Sequence, residues 1–391
     1  MHFDFWWLLY IFDGVLFFGV ALTVAYVTFF SVASLFSSLN EVSKAKYQNR
    51  FIVLIPAYKA DRNIVGTVKS ILSQTYPQRL FDVTVISDHQ SEMTNMRLAQ
   101  YTITLLTPNF EKSSKVKSLQ YAILNLPEFK IYDVVVVLDA DDIVEPEFLE
   151  QLNDAYETAG TRAVVAHRLP RNRDTASARL STIFDEINNS VFRRGHITMG
   201  LSAAIMDSGV AYEFNWYKKN IMKVRGSAAD KELEAMLIHQ QIYVDYFEQI
   251  SVFSENKREV DDFNRQRRNW IIEQFKSAAK NVRYLPAAVF NRQYDWADKI
   301  LQWMLIPRSL LFAIVLVMSL VMPFIYFSLA IKWWVVTTVW GFSLAFATPS
   351  ALVDKNWDKD FITLPIVTAA NLAKRLLSKY TQLTNKYHKP K

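Results

Sequence analysis

The sequence predicts an α/β domain with a mainly parallel sheet and helices on both faces, joined to three transmembrane helices. Between residues 51 and 295, short apolar runs rich in β-branched residues alternate with helix-like runs, which is typical of βαβ units. Outside that segment lie three uncharged apolar stretches of 21 residues or more. Each is about as long as a helix that crosses a bilayer.

Within the central segment we predict five strands and four helices. The strands are Phe51–Ile55, Val83–Ser87, Thr102–Leu106, Val134–Leu138 and Ala163–Ala166, and the helices are Ile64–Gln74, Lys115–Leu124, Pro146–Thr158 and Leu180–Phe192. The domain has few glycines, and neither a phosphate-binding P-loop nor a dinucleotide fingerprint is present.

The predicted membrane spans are Val15–Leu35, Ser309–Ile331 and Trp333–Val353, with Lys332 in the turn between the last two. The leader before the first span has no Lys or Arg, so we interpret that span as a retained anchor rather than a signal peptide. Asp13 is expected at the outer interface, because an ionised carboxylate at bilayer depth costs on the order of 3 kcal/mol.

Basic residues predict the orientation of these spans. They follow the first and third spans and precede the second, at Lys44, Lys46, Arg50, Arg308, Lys355 and Lys359. The positive-inside rule then predicts an outer N-terminus, with residues 36–308 and the C-terminal tail in the cytoplasm. We expect an integral membrane protein, with a bacterial inner membrane as its location.

Composition excludes several classes of site. The chain has no cysteine, which excludes disulfides, zinc–thiolate sites and thiol catalysis, and its six histidines lack ligand spacing. The net charge of +6 suits an anionic membrane surface and a nucleotide substrate. Because no compact basic block is interleaved with aromatic residues, a nucleic-acid partner is not expected.

Three carboxylates, Asp139, Asp141 and Asp142, follow the predicted buried strand Val134–Leu138. Ligands of open α/β sheets lie beyond the carboxyl ends of the strands, and like charges this close need a cation or a proton between them. Hard oxygen ligands suit Mg²⁺ or Mn²⁺, so we predict a metal site facing a phosphate-bearing substrate. The alternative is a helix cap ahead of Pro146, although a cap needs only one of the three acids.

Other polar residues occupy similar positions. Asp88 follows the strand VTVIS, Asp230 precedes the amphipathic run ELEAMLI, and Gln266–Trp270 begins a predicted helix. The basic pair in that last motif suits a pyrophosphate, and its tryptophan suits a stacked sugar. Each has a structural alternative: Asp88 in a turn, Asp230 as an N-cap, and the Gln266–Trp270 residues in the core or on a solvated helix face.

The order of these motifs resembles that of membrane-embedded family 2 glycosyltransferases, the group that includes cellulose, chitin and hyaluronan synthases. The resemblance covers roughly residues 51–275 and implies a GT-A-like fold. The segments that carry it are IPAYKADRNIVGTVKSILSQTYP at residues 55–77, Asp88 in VISDHQS, Lys115 in SSKVKSLQYAI, Asp139-Ala140-Asp141 as a DxD motif, MDSGVAYEF from Met206, Asp230 in AADKELE, and Gln266–Trp270 as a Gln-x-x-Arg-Trp-like motif.

The resemblance implies inverting transfer of a sugar from a nucleotide diphosphate, with UDP as the implied nucleotide. Tyr58, Asp88 and Lys115 would hold the nucleotide, and Asp139 with Asp141 would hold Mg²⁺ or Mn²⁺ against the diphosphate. Asp230 would be the general base. The acceptor would be bordered by Gln266, by Arg267 or Arg268, and by Trp270 as a stacking platform.

Two departures from the family pattern leave the product open. Ala229 stands where an acid usually precedes the base, and Asn269 stands where an arginine usually precedes the tryptophan. The altered motif favours single transfer to a lipid-linked acceptor, whereas its position near the membrane favours a polysaccharide synthase. A catalytically inactive membrane scaffold is a third alternative, against which the four retained aspartates argue.

The expected domain organisation has four parts. Residues 1–50 are the N-terminal anchor and linker, 51–295 the cytoplasmic glycosyltransferase domain, 296–354 an interfacial segment with a transmembrane hairpin, and 355–391 a basic cytoplasmic tail. The expected partners are a nucleotide-sugar donor, a glycan or lipid-linked acceptor and the lipid bilayer. Three spans make a narrow pore, so translocation of a product would call for a homo-oligomer or a partner subunit.

Overall fold

The computed structural model describes residues 5–37, 42–206, 208–226, 229–256 and 260–349. The predicted basic tail, residues 355–391, therefore lies outside the described residues. The strands are β1 Phe51–Tyr58, β2 Phe81–Asp88, β3 Thr104–Leu106, β4 Val134–Val137, β5 Ile143–Val144, β6 Ala163–Pro170, β7 Val210–Glu213 and β8 Val244–Ser254.

Fourteen α-helices occur in the described part of the chain. They are α1 Phe5–Leu35, α2 Ile64–Leu72, α3 Glu92–Leu98, α4 Lys115–Leu124, α5 Phe148–Ala159, α6 Ala176–Asn189, α7 Gly195–Thr198, α8 Phe214–Ile221, α9 Ala229–His239, α10 Val260–Asn281, α11 Leu285–Phe290, α12 Tyr294–Met304, α13 Arg308–Ile325 and α14 Phe327–Ala347. A π-helical segment, Ser190–Arg194, joins α6 to α7, and 3₁₀ turns occur at Gln78–Leu80 and Val282–Tyr284.

The eight strands form one mixed sheet in the order β3-β2-β1-β4-β7-β6-β8-β5. Pairing is parallel between β1 and β2, β1 and β4, β2 and β3, and β6 and β8; it is antiparallel where β7 joins β4 to β6 and where β5 meets β8. The predicted sheet is confirmed. Strands β5, β7 and β8 were not predicted, because two of them are very short and β8 carries charged residues within its apolar run.

Both faces of the sheet are buried, and successive residues of each strand alternate between two cores. Ile52 and Leu54 of β1 contribute to a core shared with α4, α8, α9 and α12. Phe51 and Val53 contribute to the opposite core, shared with α2, α3 and α5. Burial on both faces explains why the strand sequences are continuous apolar runs rather than alternating ones.

Among the described residues, three helices are long and apolar enough to cross a membrane: Trp7–Leu35 within α1, and α13 and α14 in full. They share an apolar core that includes Val20, Leu311 and Trp333. The predicted turn at Lys332 was wrong, because the chain turns at Tyr326, which has an extended backbone (φ −156°, ψ 103°). The turn is made by apolar residues, so hydropathy shows no break there.

Lys332 consequently lies inside α14, where it forms an ion pair with Asp13 of α1. Asp13 is 1% exposed and also accepts a hydrogen bond from Nε1 of Trp333 at 2.8 Å. Asp13 therefore faces the neighbouring helices, and its place at the outer interface stays a prediction. A partner of opposite charge offsets the cost of keeping this carboxylate among the helices.

The carboxyl-terminal half of α1 packs directly on the sheet domain. Phe30 stacks on His196 with ring centroids 3.8 Å apart. A Cβ on Gly195 would lie 2.3 Å from the carbonyl oxygen of Phe30, so only glycine allows this approach. Tyr26 donates a hydrogen bond to Asp298 of α12 at 2.7 Å. The anchor is thus tied to both the sheet domain and α12.

Candidate active site

The carboxyl ends of neighbouring parallel strands bring the predicted site residues to one edge of the sheet. Strand β1 lies between β2 and β4, with Tyr58 opposite Asp88 and Leu54 opposite Val137. Asp139 follows the end of β4 by two residues. The parallel strands β6 and β8 end at the same edge, at Pro170 and Ser254. This edge position is the general ligand site of open α/β sheets.

Asp139 and Asp141 line a cleft of about 210 Å³ beyond this edge. Lys115, the first residue of α4, donates a hydrogen bond from Nζ to Oδ1 of Asp139 at 2.5 Å. The cleft is completed by residues from α6, α9 and α10 and from the ends of β6 and β8. Its lining residues are Asp139, Asp141, Arg168, Ser181, Asp185, Asn188, Arg193, Ile205, Met206, Asp230, Lys231, Glu255, Asn256, Gln266, Arg267 and Trp270.

Asp142, the third acid of the run, holds the loop rather than facing the cleft. It is fully buried and accepts hydrogen bonds from the backbone N–H of Asp139 at 2.8 Å and from the hydroxyls of Ser208 and Ser254. Burial, with a smaller contribution from Asp139, raises the pKa of Asp142 to about 6. None of the three acids caps α5, whose N-cap is Glu147.

Asp230 lies in the first turn of α9 and lines the cleft. It also lines a smaller cavity of about 30 Å³ that Lys115 borders. The backbone N–H of Gly226, in the turn before α9, donates a hydrogen bond to the carboxylate of Glu232 at 2.8 Å. Glu232 therefore satisfies a donor at this helix start, and Asp230 lines the same cleft as Asp139 and Asp141.

The two arginines of the Gln266–Trp270 motif point in different directions. Arg267 lines the cleft, with its guanidinium 3.7 Å from the ring centroid of Phe184, and burial lowers its pKa to about 10. Arg268 is exposed and is not among the cleft-lining residues. Gln266 and Trp270 line the cleft, and Nζ of Lys231 lies 5.2 Å from the ring of Trp270.

Tyr58 and Asp88 form a neighbouring polar group outside this cleft. Oδ1 of Asp88 accepts a hydrogen bond from Nδ1 of His89 at 2.5 Å. Its Oδ2 is buried without a hydrogen-bond partner in the described part of the chain. Tyr58 is 54% exposed, and its ring meets that of His89 edge-on with the ring centroids 5.8 Å apart. An unsatisfied buried carboxylate oxygen is costly, so a ligand donor at Asp88 would stabilise this group.

Sequence reasoning missed several cleft residues, among them Arg168 and Asp185. Burial disfavours the charge of Arg168, but Asp185 and the three acids after β4 outweigh that effect, so the pKa of Arg168 is raised. Arg168 could have been predicted as a site residue, because it continues the predicted buried strand Ala163–Ala166. Asp185 lies in the middle of α6 and has no signal of its own, because only folding brings it to the cleft.

The residues after β4 fit a divalent cation that is shared with a diphosphate. No group of three or more His, Asp or Glu side chains converges as a ligand set within the described residues. Two carboxylates, Asp139 and Asp141, nevertheless line one cleft. Mg²⁺ is commonly held by one or two carboxylates together with substrate phosphates, so this pair would provide the protein's share of such a site.

Parts of this chain are similar to known proteins. Residues 49–225 match the family model described as glycosyltransferase like family 2. The structure is similar to the mannosyltransferase PcManGT from Pyrobaculum calidifontis in complex with GDP-Man and Mn²⁺, with a TM-score of 0.52 and 14% identity, covering 84% of this chain and 96% of that one. S. aureus TarS in complex with UDP aligns with a TM-score of 0.38 and 14% identity, covering 57% and 65% of the two chains.

No curated protein matches the sequence. The similarity to PcManGT, at this identity, bears on the fold alone, whereas the family model covers the segment that carries Asp88, Lys115, Asp139 and Asp141. Residues 49–225 therefore form a glycosyltransferase family 2 domain, and the structure has a GT-A-like fold.

Proposed function

We propose that this protein transfers a sugar from a nucleotide diphosphate, with UDP as the first candidate, to a glycan acceptor at the membrane with inversion of configuration. One observation carries the proposal. A single cleft at the carboxyl edge of the sheet is lined by the Asp139–Asp141 pair and by Asp230, with Trp270 in its wall. These are the parts that a direct displacement at a sugar carbon needs.

The donor would lie along the sheet edge, from Asp88 to Asp139. The unsatisfied Oδ2 of Asp88 and the exposed ring of Tyr58 suit a nucleoside, through a hydrogen bond and stacking. Lys115, bonded to Asp139, suits a phosphate oxygen of the same molecule. The solved structure of PcManGT carries GDP-Man, so guanosine donors belong in any substrate panel beside uridine ones.

A divalent cation, Mg²⁺ or Mn²⁺, held by Asp139 and Asp141 would supply Lewis-acid stabilisation of the leaving diphosphate. Mn²⁺ accompanies GDP-Man in PcManGT. The chain's own contribution at this point is to keep the acid loop in place. Asp142, through the backbone N–H of Asp139, and Ser208, through its hydroxyl, hold that loop against the end of β4.

Asp230 is the candidate general base. As the acceptor oxygen attacks the anomeric carbon, its proton passes to the carboxylate of Asp230, and the bond from that carbon to the diphosphate oxygen breaks. The released nucleoside diphosphate takes the electron pair. A single displacement inverts the anomeric centre and needs no covalent intermediate. General-base catalysis of this kind typically contributes about 10²–10⁴-fold.

Two products remain compatible with this cleft, a growing polysaccharide and a single sugar on a lipid-linked acceptor. The three described membrane helices favour the second, because Val24, Val315 and Trp333 fill the space between them. Transfer through them would require further helices from an oligomer or a partner subunit. The inactive-scaffold alternative predicts no turnover with any donor.

We also propose that the protein is anchored in a bacterial inner membrane with the domain of residues 51–295 in the cytoplasm. Lys44, Lys46 and Arg50 support this orientation through the positive-inside rule. The rings of Tyr10 and Tyr326 contact one another at 5.8 Å, at the end of the helix bundle away from the catalytic domain. The N-terminus and the α13–α14 turn would then share the outer side.

Two conservative variants test the proposed roles. Purified protein is incubated with radiolabelled UDP- and GDP-sugars in Mn²⁺ or Mg²⁺, and nucleotide binding and transfer are measured separately. Asp230→Asn is expected to retain nucleotide binding and to lose about 10²-fold or more of transfer. Asp141→Asn is expected to weaken metal-dependent nucleotide binding as well.

Glu232→Gln is the matched control, since it changes an acid in the same helical turn whose carboxylate oxygens accept backbone hydrogen bonds. It should transfer at a near wild-type rate. Equal transfer by Asp230→Asn and Glu232→Gln would remove Asp230 from the chemistry. Failure of every nucleotide sugar to bind or turn over would favour the scaffold.

A further inference from the structure

A second cavity, of about 80 Å³, continues from the cleft toward the membrane helices. Asn188, Arg193, Ile205, Lys231 and Trp270 line both cavities, so the two form one path. At its far end the second cavity is lined by residues of the first membrane helix and of the segment that enters α13, which are Thr23, Val27, Ile306, Pro307 and Arg308. The path thus leads from the proposed acceptor side of the active site to the beginning of a membrane span.

The two cavities differ in charge. The cleft is lined by five acids and by four basic residues, so its opposite charges nearly balance. The second cavity is lined by three cations, Arg193, Lys231 and Arg308, and by one acid, Glu234. Glu234 is already paired with the buried ammonium of Lys299 at 3.1 Å. The lining of the second cavity therefore carries more positive than negative charge, and Arg308 is its cation at the membrane end.

Arg308 is the clearest unsatisfied group in this cavity. One of its terminal nitrogens donates to the backbone oxygen of Phe184 at 3.5 Å and to the side chain of Asn188. The other, Nη1, is buried with no hydrogen-bond partner among the described residues. The Arg308 and Arg267 guanidiniums both lie against the ring of Phe184, 5.3 and 3.7 Å from its centroid. Asp185 attracts both guanidiniums and offsets part of their mutual repulsion, but Nη1 of Arg308 stays without a hydrogen-bond partner among the described residues.

Most of the remaining wall is apolar, although Gln274 and Gln302 also line it. Val27, Phe192, Trp303 and Leu305 line it, and Trp303 is nearly fully buried. A soluble anion would gain little from such a wall, whereas a phosphate attached to a hydrocarbon chain would contact both the cations and the apolar side chains.

We propose that this second cavity binds the phosphate of a lipid-linked acceptor, with Arg308 as the principal phosphate contact. The phosphate would lie between Arg308 and Arg193, its lipid chain in the membrane and its sugar directed past Trp270 toward Asp230. This deepens the proposed function and rests on it, since it names the acceptor class of the same site. A phosphate contact through a guanidinium is charge-assisted and is among the stronger hydrogen bonds in proteins.

The experiment measures lipid binding without any donor, by native mass spectrometry of the full chain in detergent. The probes are a long-chain polyprenyl phosphate, phosphatidic acid, neutral polyprenol and inorganic phosphate. We expect saturable binding of one lipid phosphate per chain, with polyprenol and inorganic phosphate at least about 10-fold weaker. Comparing the affinities of polyprenyl phosphate and phosphatidic acid shows whether the cavity prefers an isoprenoid or a diacyl chain.

Three variants sharpen the result. Arg308→Met should weaken binding of the lipid phosphate about 10-fold or more, and Ala204→Leu should weaken it by filling the cavity that Ala204 lines. Arg283→Met changes an exposed arginine outside both cavities and should bind as wild type does. If Arg308→Met does not fold, the pair Ala204→Leu and Arg283→Met still decides the question.

Equal binding of polyprenol, tighter binding of inorganic phosphate than of either lipid phosphate, or unchanged binding by folded Arg308→Met and Ala204→Leu would each overturn the inference. The proposed function fails differently, through loss of donor binding or turnover while the lipid phosphate still binds. Asp141→Asn separates the two, since it should bind the lipid phosphate normally and fail with the donor.

Discussion

The ion pair between Asp13 and Lys332 is expected to stabilise the contact of α1 with α14, and a double-mutant cycle measures its contribution. Asp13 is 1% exposed and Lys332 is 28% exposed on its side chain. Removing one partner of a buried pair costs about 3–5 kcal/mol, because the other charge remains without compensation. The two single variants are not equivalent, since only Lys332 has access to the surface.

Lys332→Met leaves a buried carboxylate with only Nε1 of Trp333 as its donor at 2.8 Å. We expect a loss of about 3–5 kcal/mol in the free energy of unfolding. Asp13→Asn can keep that hydrogen bond, and Lys332 can turn toward the headgroups, so the expected loss is nearer 2 kcal/mol. The double variant leaves neither charge and should lose only about 1–2 kcal/mol, which gives a coupling of roughly 3–6 kcal/mol.

Unfolding of purified protein is followed by circular dichroism in mixed micelles of increasing sodium dodecyl sulfate content, for wild type, both single variants and the double variant. Membrane insertion is checked by carbonate extraction. A coupling energy below about 0.5 kcal/mol, with all four proteins inserted, would refute the reasoning. It would indicate that Asp13 is solvated rather than paired with Lys332.

Two further perturbations test how α1 is joined to the catalytic domain. Gly195→Ala should lower the free energy of unfolding by about 1–3 kcal/mol, because its Cβ would meet the backbone of Phe30. Gly14→Ala is the control: its Cβ meets open space, so the same titration should show no loss of stability. Burial raises the pKa of Asp298, but His196, Lys299 and Tyr26 outweigh it and hold that pKa below its usual range. The stabilising effect of the Asp298 carboxylate is therefore present above the unfolded pKa near 4 and is lost as pH falls through the lower folded pKa. Asp298→Asn should therefore cost about 2–3 kcal/mol at pH 7, with the difference from wild type shrinking below about pH 4 in acid-unfolding curves; a constant difference at all pH values would contradict this.

The catalytic edge shows how far local sequence can predict a site. Asp88 and Asp139 each follow a buried apolar run, and parallel strands necessarily present their carboxyl ends at one edge. That rule was enough to expect these residues near each other. It did not separate the three acids after β4, because Asp141 in the cleft and Asp142 among serine hydroxyls follow the same strand and differ only in which way the loop turns.

The membrane segments show the opposite limit. Three apolar runs predicted three helices, since length and hydropathy are properties of the segment alone. The position of the α13–α14 turn was mispredicted because the only nearby charge, Lys332, was taken as the turn. Its partner Asp13 lies more than 300 residues earlier in the chain, and a contact at that separation leaves no local pattern.

The sequence by itself determined the α/β class, the apolar strands that end in carboxylates, and the presence of three helices long enough to cross a membrane. Each of these follows from short-range periodicity, charge and length. Tertiary structure decided which side chains share a cavity: Arg267 rather than Arg268, the unpredicted Asp185 and Arg168, and the path from Asp230 to Arg308. Those residues come from separate elements, and only packing of the helices against the sheet and the membrane bundle brings them together.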